Sequence, residues 1–335
     1  MRNQTIDFVR GIAILIMMLA NLWPRIYPFD DCPLVLRIIF SSAAPLFVFL
    51  SGVSVKMALE AGKSVKELSV RAFQVLGFAG VIDVFIWRIL PVYVMDVLYV
   101  IAFGMMLLLR IRNLKTSLQW AIAFGLIGGS FVWQQYYHFN IHTVGLRLTD
   151  FKVMEMLRHI FLDGWFPILP WSGFAVLGYV TYASKAALQN NTKWFLFLGS
   201  ALLLSYFVAA ATVLDFAPLR KEYTEVFYPV TWSFLVYAFG LFALVISGYF
   251  YNLTNFRFVS ALGRISLTIY FIHFVIIGYL IPEFLVEKEV FNSWISLVII
   301  VVFYVLILVL AKVILNHLQE LKRGKLKMLG KGLGL

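Results

Sequence analysis

Apolar residues in this chain run in long blocks, and polar residues collect in short clusters between them. Ten such blocks are legible, roughly 7–24, 34–57, 71–90, 92–110, 117–136, 161–183, 194–214, 229–250, 259–281 and 294–315. Each is close to the roughly 20 residues that a helix needs to cross a bilayer. None alternates polar and apolar positions with a period of two, so the blocks predict helices, which satisfy their own backbone hydrogen bonds in lipid. The predicted fold class is all-α, a polytopic membrane helix bundle of about ten transmembrane helices.

Composition strengthens that reading. Hydrophobic residues make up 62% and charged residues 13% of the chain, against about 25% charged in a soluble domain. The mean hydropathy is +0.89. After the first block, "LANLWPRIYPF" has no small-residue cleavage site, so that block predicts a retained helix and not a signal peptide. The net charge of +11 comes from residues flanking the apolar blocks, which is a topology signal and not a nucleic-acid patch. With an inside N-terminus, 19 Lys and Arg fall on the cytoplasmic side and 9 outside. Both termini are therefore expected in the cytoplasm. Residues 1–316 read as the membrane domain, and 317–335 as a basic tail lying near anionic lipid heads. The sole cysteine, Cys32, allows no intrachain disulfide. The longest connection, about 136–160, is expected outside, with room for a short interfacial helix.

Ionisable residues within spans are functional suspects by default. Asp7 and Arg10 sit three apart at the mouth of the first block and share a helix face. Arg10 could snorkel to the headgroups, or face the bundle and receive an anion such as a phosphate. The same choice applies to Arg264 in "ALGRISLTIYFIHF". His273, nine residues beyond it, reads either as a packed core residue or as a general base. Asn21 lies about 16 Å along its helix from Arg10, where an amide can donate to an oxyanion or pack helices together. Asp83, Asp96 and Asp163 fall in the outer halves of their spans, with Asp30 and Asp31 in the first outer loop. Trp23, Trp87, Trp133, Trp165 and Trp232 accompany them, either as an aromatic belt or as the lining of an outward cavity suited to an amine or a sugar. "LSGVS" reads as close helix packing, and no phosphate loop, zinc spacing or nucleophile elbow appears.

The stretches "IDFVRGIAILIMMLAN", "APLFVFLSGVS", "PWSGFAVLGY" and "LGRISLTIYFIHF" together resemble the transmembrane acyltransferases. The resemblance is nearest to bacterial relatives of heparan-α-glucosaminide N-acetyltransferase, and more distant to the acyltransferase 3 family. It implies transfer of an acyl group from cytoplasmic acetyl-CoA to an amine or hydroxyl of an extracytoplasmic sugar or glycan. It places Arg10, held by Asp7, at the CoA phosphates and Asn21 near the thioester; Arg264, at a cytoplasmic helix start, is a further candidate for the cofactor. Asp83, Asp96, Asp163 and Trp165 become candidates for the acceptor. It also implies residence in a prokaryotic cytoplasmic membrane, among lipid and without nucleic-acid partners; a homo-oligomer stays open. One departure stands out. In the lysosomal enzyme a proposed active-site histidine follows the equivalent of Asn21 by eleven residues, and here that offset lands on Cys32. Proton removal is then expected from His273, or from Asp31 or Asp30. Two other readings compete: a ten-helix secondary transporter, and a catalytically silent scaffold that binds CoA or sugar. Transporters of that kind are built from repeated halves around broken helices, and no internal repeat is visible.

Overall fold

The computed structural model describes residues 3–28, 31–136, 153–213, 224–228, 230–251, 256–281 and 293–323. Among them every regular element is helical. In chain order these are α1 (Gln4–Leu22), α2 (Leu34–Phe40), α3 (Ala43–Glu60), α4 (Val65–Ile82), α5 (Val97–Ile111), α6 (Thr116–Tyr136) and α7 (Val153–Arg158). There follow α8 (Ile168–Ala183), α9 (Lys185–Leu188), α10 (Thr192–Thr212), α11 (Trp232–Tyr251), α12 (Arg257–Arg264), α13 (Ser266–Tyr279) and α14 (Ser293–Arg323). α14 runs past the tail boundary expected at 316, and residues 324–335 lie outside the described residues.

Six stretches are long and apolar enough to cross a membrane: 4–25, 34–60, 65–87, 185–212, 232–251 and 294–318. The number rises to eight if two bent pairs each count as one span. These are 153–163 with 168–183, bent by 41°, and α12 with α13, bent by 78°. The protein is therefore an integral membrane protein, with six to eight candidate spans among the described residues against the ten expected. The shortfall lies in α5 and α6, whose apolar stretches, 97–111 and 116–132, are shorter. α5 starts five residues later than its apolar block because the preceding backbone is not helical. Arg88, Val92 and Met95 all have positive φ there, at 55°, 68° and 57°. Such conformations cost on the order of 1–3 kcal/mol each and need surrounding contacts to hold them.

Local chemistry explains the helix starts. Asn3 caps α1 by accepting from the Ile6 amide at 3.1 Å. Ser64 and Glu67 form a reciprocal capping box on α4, and Asp96 caps α5 through the Leu98 amide at 3.0 Å. Trp194, Phe197, Leu204 and Val208 on α10 are exposed, as are Val298, Val302, Val305 and Val309 on α14. Apolar surface on that scale suits lipid and not water.

The chain divides into two compact units. The larger comprises residues 44–217 and 227–250, and holds α3 to α11. Its α6 packs on α8, and α5 on both α4 and α8. α3 and α8 touch backbone to backbone: a Cβ on Gly52 would lie 1.8 Å from the Ala175 carbonyl oxygen. That contact fits the packing expected of "LSGVS". The second unit comprises residues 2–43, 218–226 and 251–335, and is built on α1, which packs against α2, α12 and α13. Tyr304 of α14 donates its hydroxyl to the Leu15 carbonyl at 2.6 Å and pins the middle of α1.

Candidate functional site

The second unit places chemistry at both ends of α1. At the N-terminal end, Arg10 Nη1 donates to Asp7 Oδ1 at 3.1 Å; Asp7 is buried and the Arg10 side chain is 18% exposed. α12 lies directly on this turn. A Cβ on Gly11 would sit 2.0 Å from the Val259 carbonyl oxygen, and one on Gly263 would sit 1.8 Å from the Asp7 carbonyl oxygen. Only glycines permit so close a crossing. It brings the end of α12, where Arg264 is exposed, onto the turn of α1 that carries Asp7 and Arg10. Two guanidinium side chains near one helix end, neither sealed in the interior, can receive a multiply charged phosphate group.

At the other end, about 16 Å along the helix, Asn21 Nδ2 lies 3.3 Å from His273 Nε2. His273 has no exposed surface, and its Nδ1 lies 3.2 Å from the Ile269 carbonyl. A carbonyl only accepts, so Nδ1 carries the proton and Nε2 accepts from the Asn21 amide. The imidazole is thereby occupied at both nitrogens. Asn21 is partly exposed, and among the described residues its second N–H and its carbonyl oxygen are open to another partner. The geometry makes Asn21 the presenting group and His273 the group that orients it. Sequence alone allowed His273 a general-base role; in this arrangement its lone pair already points at Asn21.

Beside this end, α2 supplies a polar cluster. Cys32 packs with Ala20 and Phe40 in a small core that Trp23 and Leu36 cover. Arg37 is 2% exposed and its Nε donates to the Cys32 carbonyl at 3.0 Å. Ser41 Oγ donates to the Arg37 carbonyl at 2.6 Å and accepts from the Val226 amide at 2.8 Å. That bond carries Glu225 to the cluster. Burial pushes the Cys32 thiol up to about 11, with Arg37 opposing and Glu225 adding to the shift. Burial likewise pushes the Glu225 carboxyl up to about 7, against hydrogen bonds from Thr224 and the charge of Arg37. Asp31 is exposed and its amide donates to the Pro28 carbonyl at 3.2 Å. Asp30 lies outside the described residues.

The expected acceptor residues all belong to the larger unit. Asp83, with no exposed surface, accepts at Oδ2 from the Tyr99 hydroxyl at 2.6 Å and the Val92 amide at 3.2 Å. Asp96 is the α5 cap. Asp163 is held by Arg158 Nε at 2.6 Å and His159 Nδ1 at 2.9 Å. Trp165 donates its amide to the Val94 carbonyl at 2.7 Å, and its ring meets Trp87 edge-on at 6.0 Å. Each aspartate thus has a structural partner, and it is the Trp165 and Phe166 amides, donating to the Val94 and Met95 carbonyls at 2.7 and 2.9 Å, that join segment 88–95 to residues 159–166. Of the connection expected at about 136–160, residues 137–152 lie outside the described residues, and 153–158 form α7.

Sequence reasoning missed two residues. Arg37 falls among the nine outside charges and raises no expectation there, although a cation inside the apolar block "CPLVLRIIFSS" is itself a signal. Glu225, in "KEYTEVFYP", carries no periodic or motif signal at all.

Among the described residues no group of three His, Cys, Asp or Glu could hold a metal ion. No curated protein matches the chain. A match covers residues 2–211, a range that includes Asp7, Arg10, Asn21, Cys32 and Arg37 and stops short of Glu225, Arg264 and His273. It is to the family described as heparan-alpha-glucosaminide N-acetyltransferase, catalytic, and the chain belongs to that family.

Proposed function

We propose that the protein transfers an acetyl group from acetyl-CoA, approaching from the cytoplasm, to an amine or hydroxyl of an extracytoplasmic carbohydrate. The observation that carries this is the Asn21–His273 pair at one end of a helix whose other end holds Arg10 and Arg264. Family membership supports acetyl transfer. The charge bias supports cytoplasmic termini and hence donor entry at the arginine end. In this reading the arginines take the CoA phosphates. The free Asn21 N–H donates to the thioester oxygen as it gains negative charge, and His273 fixes the amide so that no reorganisation is needed during the reaction. A bacterial cytoplasmic membrane is the proposed location.

One feature favours a second reading. The 78° bend between α12 and α13 is a broken helix, which transporters place at their binding sites. Purified protein heated with and without acetyl-CoA separates the two. A ligand that binds only the folded state at a hundred times its Kd stabilises by about 2.7 kcal/mol, so a raised melting point is expected. No shift at saturating acetyl-CoA or CoA removes the transferase reading.

A further inference from the structure

Acyl transfer to an ammonium needs a proton acceptor, and the pair at the end of α1 offers none: His273 is sealed with both nitrogens engaged. The neighbouring cluster has one. Arg37 is buried to 2% exposure, and a guanidinium so far from water needs a carboxylate close by. Glu225 is the carboxylate whose charge reaches both Arg37 and the Cys32 thiol. Its position is built and not incidental. Ser41 uses its proton on the Arg37 carbonyl and its lone pair on the Val226 amide, tying together two segments 185 residues apart in sequence. Arg37, Cys32, Thr224 and Val226 are all buried, whereas Glu225 is partly exposed. Of the two carboxyl residues a ligand can reach here, the exposed Asp31 and the partly exposed Glu225, Glu225 is the one tied into the cluster, through the amide of the next residue, Val226, on Ser41. Cys32 packs on Ala20, the residue before Asn21, so the cluster lies at the Asn21 end of α1.

We propose that Glu225 is the catalytic base of this protein, taking the proton from the acceptor amine that the acetyl-CoA thioester held at Asn21 acylates. The proposal rests on the transferase reading above. A substrate ammonium gives one proton to the Glu225 carboxylate, and the freed nitrogen lone pair attacks the thioester carbonyl carbon. The N–C bond forms and the C–S bond breaks, sulfur leaving with the electron pair. The nitrogen's second proton goes to the departing thiolate. The products are an amide and the CoA thiol, and Glu225 then returns its proton to water. Burial raises the carboxyl to about 7, with the charge of Arg37 opposing the rise, which leaves it near neutrality, where a base is most effective.

The test uses full-length protein in nanodiscs, with acetyl-CoA as donor and glucosamine as probe acceptor. Glu225→Gln should bind acetyl-CoA within threefold of wild type and lose at least a hundredfold in turnover. In wild type, kcat/KM should rise with pH to a plateau above about 7, and the residual activity of the variant should lack that limb. A purely structural role would slow the enzyme without moving the limb. Equal turnover with the limb intact in Glu225→Gln overturns the base role alone. A wild-type protein that binds acetyl-CoA yet acetylates nothing overturns the transferase reading, and the base role with it. If Glu225→Gln does not fold, Glu225→Asp decides, since it keeps the charge and withdraws it by one methylene. A tenfold or greater loss of turnover with unchanged acetyl-CoA affinity is expected, and unchanged turnover overturns the proposal.

Discussion

Substituting Gly263 by alanine tests whether the α1–α12 crossing builds the donor end of the site. The added Cβ would lie 1.8 Å from the Asp7 carbonyl oxygen and 2.8 Å from the Gly11 amide nitrogen, both backbone atoms that cannot swing aside. Cβ contacts under 3.0 Å do not occur in practice and ordinary contact begins at 3.4 Å, so α12 must retreat from α1 by between 1.2 and 1.6 Å. Overpacking of this kind costs about 1–3 kcal/mol in stability. The same retreat moves the end of α12 that carries Arg264 away from the turn of α1 that carries Arg10. Hydrogen bonds to charged groups are worth about 1.5–3 kcal/mol each, so losing one from a shared phosphate weakens binding roughly ten- to hundredfold. Calorimetric titration of acetyl-CoA into Gly263→Ala should show that loss alongside a lowered melting point. Gly125→Ala on α6 is the control, because nothing lies within 4 Å of its added methyl. Wild-type affinity in a folded Gly263→Ala protein would refute the idea that this crossing positions the two arginines.

Arg10→Ala should raise the Kd for CoA at least tenfold in calorimetry, because a charge-assisted contact from a partly shielded site is lost; unchanged affinity returns Arg10 to a headgroup role. Stability should also carry the signature of Glu225. Its folded pKa of about 7 lies above the ordinary 4.5, so the folded state holds a proton that the unfolded chain has released. That contribution is fully present below about pH 4.5 and is lost as pH rises through 7. Melting curves of wild type and Glu225→Gln should therefore diverge between those values, wild type losing stability more steeply with pH, and parallel curves would contradict the assignment.

How far the sequence went depends on the range of the interaction concerned. Asp7 and Arg10 were legible as a pair because three residues of helix fix their geometry. The membrane helices were legible because lipid demands long apolar blocks. Their number was not, since α5 begins only after three left-handed residues, and nothing in "RILPVYVMD" announces that Val92 and Met95 adopt positive φ. Those conformations depend on Asp83, Trp165 and Phe166 holding the segment from outside. Asn21 and His273 could each be singled out as polar residues at depth. That they meet, 252 residues apart, is a property of the α1–α13 packing. Arg37 and Glu225 fall at the far end of this scale. Their association runs through Ser41 and a single backbone amide, which no local pattern encodes.

The central claim is that Asn21, oriented by His273, stabilises the oxyanion of acetyl transfer, and single-turnover acetylation of glucosamine by wild type and Asn21→Ala tests it most directly. Removing one oxyanion donor typically costs a hundred- to thousandfold in rate, and Asn21 stands about 16 Å along α1 from Arg10, the proposed contact of the donor phosphates. Asn21→Ala is thus expected to lose roughly that much in rate while acetyl-CoA affinity, measured on the same sample, stays within a few-fold of wild type. A variant that turns over normally, or one whose only defect is weaker acetyl-CoA binding, would contradict the account.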